Sequence, residues 1–320
     1  MAHFKVNDIV PFHDKRNTVL KMEQLIGSGA QADVYKAYDI LNRQYVAAKH
    51  CYGAYASNKG LFYKKVQALS QHPAPHPALC WPIALSPLTK NASFLYIMPL
   101  LDGYRPVTGV INRTDKLTEL QKAQLLMKLA EALDALHSRK FVYGDISAQN
   151  ILYRIDADGS VDVRLIDCEN VSLPGFSFGL QGSGRFRAPE LLLPDPSRED
   201  GGPQPPSVYS DAYAFQVLAF RVLLRRHPLD GALSRTVPMD DHEGFLRYYA
   251  RAPLFIFEGT KNDPGPRVTA NWEALPQPMQ LFFRYCFSQK ALHHKEERLG
   301  MKEFMLILKK SYPFEAIQKS

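Results

Sequence analysis

Four polar residues of this chain follow one another in an order that restricts its possible folds more than any other feature. A glycine-rich turn, IGSGAQADVYKA, comes before Lys49, which ends the apolar run YVAAK. Asp145 and Asn150 lie in the segment YGDISAQN, and Asp167 follows a second apolar run. The tripeptide APE comes later in the chain. One such segment could arise by chance, but the whole series in this order points to a single family of folds.

The overall composition suits a large folded chain. With 320 residues, of which 46% are hydrophobic, it can bury a large core and form two lobes. The formal charge of +7 is moderate and the basic residues are scattered, so we expect no nucleic-acid partner. No segment contains the run of about 18 apolar residues that a membrane helix needs, so we expect no membrane contact. The cysteines show no CxxC spacing, which favours reduced thiols and a cytoplasmic location.

The first third of the chain has the pattern of a small sheet with one helix. From about residue 20 to about residue 100, short runs rich in β-branched and aromatic residues alternate with turns, as they do in strands. Between these runs, the segment Asn58–Ser70 places Leu61, Phe62, Val66 and Leu69 at helical spacing. We therefore expect strands on both sides of a single helix.

Helical patterns dominate the rest of the chain. Thr118 and Gln121 fit a capping box at the start of a long amphipathic helix. Residues 151–166 have the pattern of a β-hairpin. The segment Ser210–Leu224 is apolar nearly all round, so we expect it to form a helix buried at the centre of this part of the molecule.

These segments and their order resemble the eukaryotic-like Ser/Thr protein kinases over most of the chain. The resemblance implies an α+β, bilobal protein-kinase-like fold. Its small β-rich N-lobe would span residues 1–101, with an N-terminal extension, and its larger helical C-lobe residues 102–320. The implied activity is ATP-dependent transfer of the γ-phosphoryl group to Ser/Thr hydroxyls of a protein substrate, with Mg²⁺ or Mn²⁺. The divergence resembles that of bacterial members, including kinases found with a phosphatase and a TerY-like partner.

The resemblance also assigns roles to the residues that match the family's motifs. Asp145 would orient or accept the proton of the attacking hydroxyl, and Lys49 would contact the α- and β-phosphates. Asn150 and Asp167 would hold the metal ion. The expected nucleotide contacts lie in the glycine-rich turn, the neighbouring strands and the hairpin, and they are Ile26, Gly27, Gly29, Val34, Ala47, Lys49, Met98, Leu100 and Leu152.

The chain departs from the family pattern at the partner of Lys49. No Asp or Glu follows this lysine in the rest of the predicted sheet region, so the helix glutamate that normally pairs with it has no counterpart. Tyr63 or Lys64 falls near that position. Two substitutes remain open, namely Gln67 and a distant carboxylate such as Glu169.

Other departures lie in the catalytic segment, where Gly144 replaces an arginine and Ser147 replaces a lysine. Outside it, the resemblance implies two structural contacts. Glu190 would pair with a buried arginine, for which Arg298 is the best candidate, and Asp211 would brace the catalytic loop through its backbone.

Two other functions remain open. The missing helix glutamate and Ser147 are compatible with a pseudokinase that acts as a nucleotide-binding or scaffolding module. The YGD loop with its downstream asparagine also resembles the small-molecule phosphotransferases that modify antibiotics. The Ala188–Glu190 element and the segment around Gly182 and Ser183 argue against that last function.

Overall fold

The computed structural model describes residues 4–14, 16–29, 31–52, 60–173, 184–238 and 240–314. The structure is α+β and divides into a β-rich unit and a helical unit, which confirms the predicted bilobal fold class. The first unit comprises Met1–Tyr104 with Ile166–Glu169, and the second comprises Arg105–Leu165 with Asn170–Ser320. The segment around Gly182 and Ser183 lies outside the described residues.

The first unit is built on a six-stranded antiparallel sheet with the spatial order β1-β2-β3-β4-β6-β5. Its strands are β1 (Ile9–Pro11), β2 (Val19–Ser28), β3 (Ala32–Asp39), β4 (Gln44–Cys51), β5 (Ala84–Leu85) and β6 (Phe94–Pro99). Helix α1 (Leu61–Ser70) lies between β4 and β5 in the chain. The strands and the helix that the sequence pattern predicts in this region are present.

Burial along β3 shows why these segments form a sheet. Half-buried and fully buried residues alternate strictly from Ala32 to Asp39, because successive side chains of a strand point to opposite faces. One face of the sheet packs into an apolar cluster that contains Ala37 and Ile97. The other face packs into a second cluster, in which Tyr96 and Phe62 of α1 meet. Both faces are therefore covered by apolar side chains.

The second unit is mainly helical. Its helices are α2 (Thr108–Ile111), α3 (Glu119–Ser138), α4 (Val208–Leu224), α5 (His242–Leu246), α6 (Pro266–Glu273), α7 (Gln277–Cys286), α8 (Gln289–His293) and α9 (Met301–Ser311). A three-stranded sheet consists of β7 (Arg105–Pro106), β8 (Ile151–Ile155) and β9 (Val161–Leu165). Within the described part of the chain, no helix is both long enough and apolar enough to cross a membrane.

Two long helices organise the second unit. The predicted capping box of α3 is confirmed, since the Gln121 backbone N–H donates to Thr118 Oγ1 at 3.1 Å and the Thr118 N–H donates to Gln121 Oε1 at 3.0 Å. Helix α4 is buried along nearly its whole surface from Ser210 to Leu224, as its continuous apolar pattern predicts. This helix forms the centre of the unit.

The observed division of the chain differs from the predicted one in two places. The first unit ends at Tyr104 rather than Leu101, and it includes Ile166–Glu169, which the prediction left in the second lobe. Ile166 packs against the apolar cluster around Tyr96. No local sequence pattern reveals such a contact, because it joins segments that are far apart in the chain.

A buried ion pair stabilises the second unit. Nη1 and Nη2 of Arg298 donate to the two carboxylate oxygens of Glu190, each at 2.7 Å, which confirms the predicted pair. The same guanidinium also donates to the carbonyl oxygens of Tyr209 and Ala291. A bidentate pair with these additional hydrogen bonds satisfies the donors of the buried arginine.

We expect Arg298→Ala to lower the free energy of unfolding by about 3–5 kcal/mol, because it leaves Glu190 without its buried partner. Arg154→Ala is the matched control, since this arginine pairs with Asp156 at the surface and should cost at most about 1 kcal/mol. Urea denaturation of both variants measures the difference. Equal losses would contradict a structural role for the buried pair.

Candidate functional site

One face of the first sheet carries several of the predicted site residues. In the strand register, Gly27 lies opposite Val34, and Val34 lies opposite Lys49. Ala47 lies opposite Met98 on the neighbouring strand. Side chains opposite each other, or two residues apart on one strand, share a face, so Val34, Ala47, Lys49 and Met98 lie side by side. Together they form a mostly apolar surface with one cation at its edge.

Three other predicted residues lie outside this register pattern. Ile26 is 47% exposed near the end of β2, next to the glycine-rich turn. Leu100 follows β6 and packs against the cluster that contains Met98. Leu152 lies in β8, in the second unit, and is half-buried there. The described contacts therefore place Leu100 beside the apolar surface.

The glycine-rich turn between β2 and β3 is held by polar contacts that the sequence did not reveal. The Tyr52 hydroxyl lies 3.1 Å from both the Gly29 carbonyl oxygen and the carboxylate of the buried Asp33. The Ser28 hydroxyl donates to the same carboxylate at 2.7 Å. A Cβ atom added at Gly27 or Gly29 would meet no described protein atom closer than 3.6 Å. Packing thus does not require glycine here, whereas the close approach of a phosphate to the backbone would.

Lys49 is buried between two carboxylates. Its Nζ donates to Asp167 Oδ1 at 2.8 Å and to Glu169 Oε1 at 2.5 Å. Burial disfavours the charge of Lys49, but the two carboxylates outweigh this effect and raise the pKa of Lys49 well above its ordinary value. Burial likewise opposes the charge of Glu169, but Lys49 outweighs it and lowers the pKa of this carboxyl group. Both groups are therefore charged at neutral pH.

Glu169 supplies the partner for Lys49 that the helix lacks. It is only 1% exposed and stands two residues after Asp167, in a 3₁₀ turn formed by Cys168–Asn170. Asp167 adopts a left-handed backbone conformation with φ of 56°, which is uncommon for a non-glycine residue and turns the chain sharply. Through this turn, both carboxylates reach the same ammonium group. The predicted substitute Glu169 is confirmed, and Gln67 is exposed instead.

Helix α1 presents a cation to the interior. Lys65 is fully buried, next to the residues Tyr63 and Lys64 that the sequence placed near the family's glutamate position, and it lies on the same helical stripe as Phe62 and Val66. Burial lowers the pKa of Lys65 to about 8, and the nearby negative charge of Glu169 only partly opposes this effect. The stripe was visible in the sequence, since Lys65 interrupts an apolar face at i, i+3, i+4 spacing.

In the second unit, Asp145 and Asn150 lie on one tight loop. The Asn150 side-chain amide donates to the Asp145 carbonyl oxygen at 3.0 Å and to its carboxylate at 2.9 Å. The Asn150 backbone N–H lies 3.3 Å from the Ser147 hydroxyl oxygen, which accepts its hydrogen bond. Ser147 is therefore a buried part of the loop and not an exposed substitute for a lysine. The loop fixes the orientation of the Asp145 carboxylate.

Asp211 of α4 holds the backbone of this loop through hydrogen bonds, as predicted. Its carboxylate accepts hydrogen bonds from the backbone N–H groups of Tyr143 at 2.7 Å and Gly144 at 2.9 Å. His137 Nε2 at the end of α3 lies 2.9 Å from the same carboxylate, a contact that sequence reasoning missed. Gly144 has a φ of 77°, a conformation that an arginine adopts only at a cost. The local backbone thus accounts for the glycine at this position.

The oxygen ligands at these positions suit a hard divalent cation. Among the described residues, no group of three or more His, Cys, Asp and Glu side chains could hold a metal ion alone. Magnesium, however, commonly takes only one or two carboxylates and completes its shell with substrate phosphates and water. The amide nitrogen of Asn150 donates to Asp145, which leaves its carbonyl oxygen as a ligand. Asp167 offers a carboxylate, so both residues fit this chemistry.

Comparison with known proteins finds similarity over most of the chain. The family model for the protein kinase domain matches residues 20–306. The serine/threonine-protein kinase pak-2 of Caenorhabditis elegans is 24% identical over 293 residues, which cover 89% of this chain and 51% of that protein. The serine/threonine-protein kinase PknA of Mycobacterium tuberculosis is 23% identical over 228 residues, 68% of this chain and 50% of that protein.

A third relative is the probable serine/threonine-protein kinase PknB of Lactococcus lactis. It is 25% identical over 211 residues, which cover 64% of this chain and 31% of that protein. The chain thus spans about half the length of the first two relatives and less of the third.

We expect Glu169→Gln to lower the free energy of unfolding by about 3–5 kcal/mol, because Lys49 loses a buried anionic partner. Asp167→Asn should cost less, since the Asp167 side chain is 34% exposed. The loss caused by Glu169→Gln should shrink when Lys49 is already methionine, as expected for a direct pair. Urea denaturation of the single and double variants measures these losses. If the losses of the Glu169→Gln and Lys49→Met variants simply add in the double variant, the direct pairing of the two residues is contradicted.

Lys65→Met should remove a pH dependence of stability. The pKa of Lys65 is about 8 in the folded protein against an ordinary value of 10.5, so between these pH values the unfolded chain binds more protons. The wild type should therefore gain stability relative to Lys65→Met as the pH rises through this window, by up to about 1.4 kcal/mol per pH unit. Urea denaturation at a series of pH values tests this. A difference in the free energy of unfolding that does not change with pH would contradict the lowered pKa of Lys65.

Proposed function

Since this chain belongs to the protein kinase family, we propose that it transfers the γ-phosphoryl group of ATP to serine and threonine hydroxyls of protein substrates. The observation that carries this proposal is the buried contact between Lys49 and Glu169. In this family a carboxylate must hold the phosphate-binding lysine in place for transfer to occur. Glu169 supplies that carboxylate from a different part of the chain. The names of the relatives support serine and threonine as acceptors.

The first unit would bind the nucleotide. The apolar surface formed by Val34, Ala47 and Met98 suits the adenine ring, and Ile26, Leu100 and Leu152 would add further apolar contacts. The open backbone at Gly27 and Gly29 would approach the phosphates. Lys49, fixed by two carboxylates, would place its ammonium group against the α- and β-phosphates. Pre-fixed groups bind without the loss of side-chain freedom that a mobile lysine would incur.

Asp167 and Asn150 would hold Mg²⁺ or Mn²⁺. When bound, this ion offsets the negative charge of the phosphates and so reduces their repulsion of the attacking hydroxyl. Asp167 has a second task, since it also accepts a hydrogen bond from Lys49. The carboxylate would thus link the metal ion to the phosphate-binding lysine.

Asp145 would orient the hydroxyl of the protein substrate and accept its proton. The amide of Asn150 holds one of its carboxylate oxygens at 2.9 Å, so the side chain cannot rotate freely. Asp211 holds the backbone just before it through Tyr143 and Gly144. A carboxylate fixed in this way is suited to general-base catalysis, in which position matters as much as pKa.

The alternative is a pseudokinase that only binds nucleotide or acts as a scaffold. Two features favoured it, namely the missing helix glutamate and Ser147 in place of a lysine. Glu169 meets the first, because it holds Lys49 with a buried carboxylate. Ser147 remains a difference, and it leaves one cation fewer to steady the γ-phosphate, so we expect slow transfer.

The partners of this kinase follow only in part from its family. ATP and protein substrates are general to protein kinases. An association with a phosphatase and a TerY-like partner stays a prediction from the sequence, as does a cytoplasmic location.

We expect Asp145→Asn to retain nucleotide binding but to lower phosphate transfer at least about 100-fold, because an amide cannot accept the proton. Transfer from γ-labelled ATP to a mixed protein substrate, followed by phosphoamino-acid analysis, measures activity, and thermal shift measures binding. Asp158→Asn, in the exposed β8–β9 turn, is the control and should leave both unchanged. Equal labelling by the wild type and Asp145→Asn would favour the pseudokinase.

A further inference from the structure

The second unit contains a cavity of about 500 Å³ lined by several cations. Arg113, Lys122, Arg225 and Arg267 contribute to its wall, and Glu119 is the one acidic side chain among the described residues that line it. The wall combines the start of α3, the end of α4, the α6–α7 junction and the residue after α9. None of these positions belongs to the residue set proposed for phosphate transfer.

The charges in this cavity are not balanced within the described part of the chain. Glu119 already pairs with Lys122, whose Nζ lies 2.6 Å from its carboxylate. Arg113, Arg225 and Arg267 form no ion pair with a described residue. Arg113 and Arg267 are exposed at the rim of the cavity; partial desolvation lowers the pKa of Arg113, and the positive charges of Arg267 and Arg225 lower it further. Cations that repel one another around a common cavity leave a place for an anion.

Backbone geometry shows that two of these arginines occupy unfavourable positions. Arg113 has a φ of 67° and Arg225 a φ of 55°, both in the left-handed region where glycine is favoured. Arg225 ends α4, a position where glycine is the usual residue. Glycine at either position would relieve this backbone strain, so such a substitution removes a cation without a conformational cost.

The other walls of the cavity indicate the kind of anion. Tyr312 lines the cavity, and its hydroxyl is shielded from solvent and has no hydrogen-bond partner among the described residues. Leu275 and Pro276 add apolar surface. Guanidinium groups bind phosphate oxygens in a bidentate manner, and the volume exceeds what one phosphate needs.

We propose that this cavity binds a small molecule that carries two or more phosphate groups. The arginines would bind the phosphates, and Tyr312 would donate a further hydrogen bond. The site does not depend on the proposed kinase activity, because it uses a separate set of residues. Its ligand could be an inorganic polyphosphate or a nucleoside polyphosphate, since both present the same phosphate chain.

The test uses sodium tripolyphosphate as the probe and the full chain, with binding measured by calorimetry and thermal shift at constant ionic strength. The double variant Arg113→Gly/Arg225→Gly removes two cations and also relieves the left-handed backbone, so it should fold at least as well as the wild type. We expect it to bind tripolyphosphate at least about 10-fold more weakly. Arg43→Gly is the matched control, since Arg43 is an exposed arginine with φ of 52° outside the cavity.

Two further measurements distinguish this cavity from the proposed nucleotide site and from a general affinity for anions. Lys49→Met should retain tripolyphosphate binding, because Lys49 lies in the other set of residues. In the Lys49→Met variant, tighter binding of a nucleoside triphosphate than of tripolyphosphate would show that the apolar wall contacts a nucleobase. Equal binding would show that the cavity recognises the phosphate chain alone. Unchanged binding by the double glycine variant, loss of binding in Lys49→Met, or an equal response to sulfate would each overturn the proposal.

Discussion

The contact between Lys49 and Glu169 is the interaction on which the proposed chemistry depends. A buried charge is costly unless an opposite charge meets it at close range, and here a lysine and a glutamate that are both almost fully buried satisfy each other. Asp167 adds a second anion and Lys65 a second cation nearby. Removing Glu169 or Asp167 would leave Lys49 buried with less compensation, which couples this pairing to the stability of the first unit.

This arrangement places the carboxylate partner of Lys49 two residues after Asp167, the proposed metal ligand, instead of on a helix. In the family pattern, the helix glutamate can move with its helix and so form or break the pair with the lysine. Here the partner lies two residues from Asp167 and belongs to the same compact unit as Lys49. Formation of the pair is therefore tied to the conformation of the Asp167 segment, and helix α1 carries a cation, Lys65, at its buried stripe.

In the second unit, hydrogen bonds hold the loop around Asp145. Asp211 on the buried helix α4 holds the backbone just before Asp145, and Asn150 holds the Asp145 side chain. Gly144 and Ser147 look like losses of function in the sequence. In the structure, the left-handed backbone at Gly144 and the buried hydroxyl of Ser147 are parts of the loop's own hydrogen-bonded geometry. Both residues therefore have a structural role in the loop.

The sequence by itself determined the features that depend on near neighbours in the chain. The strands, the capping box at Thr118 and the buried helix α4 all follow from periodicity and local hydrogen bonding. The order of the motifs likewise identified the candidate residues. The strand register of the structure places three of them, Val34, Ala47 and Lys49, on one face. The predictions of strands, cap and helix succeeded because each rests on a pattern only a few residues long.

Tertiary structure decided which carboxylate meets Lys49, whereas the resemblance had already indicated the contacts of Glu190 with Arg298 and of Asp211 with the loop. Glu169 lies 120 residues from Lys49, and nothing in the sequence between them specifies that they meet. The sequence offered Glu169 as one option among several, and packing of the Asp167 segment against the first sheet selected it. The burial of Lys65 and the cavity that the arginines share likewise result from the packing of distant elements. Long-range electrostatic contacts depend on how distant elements pack, which local periodicity does not encode.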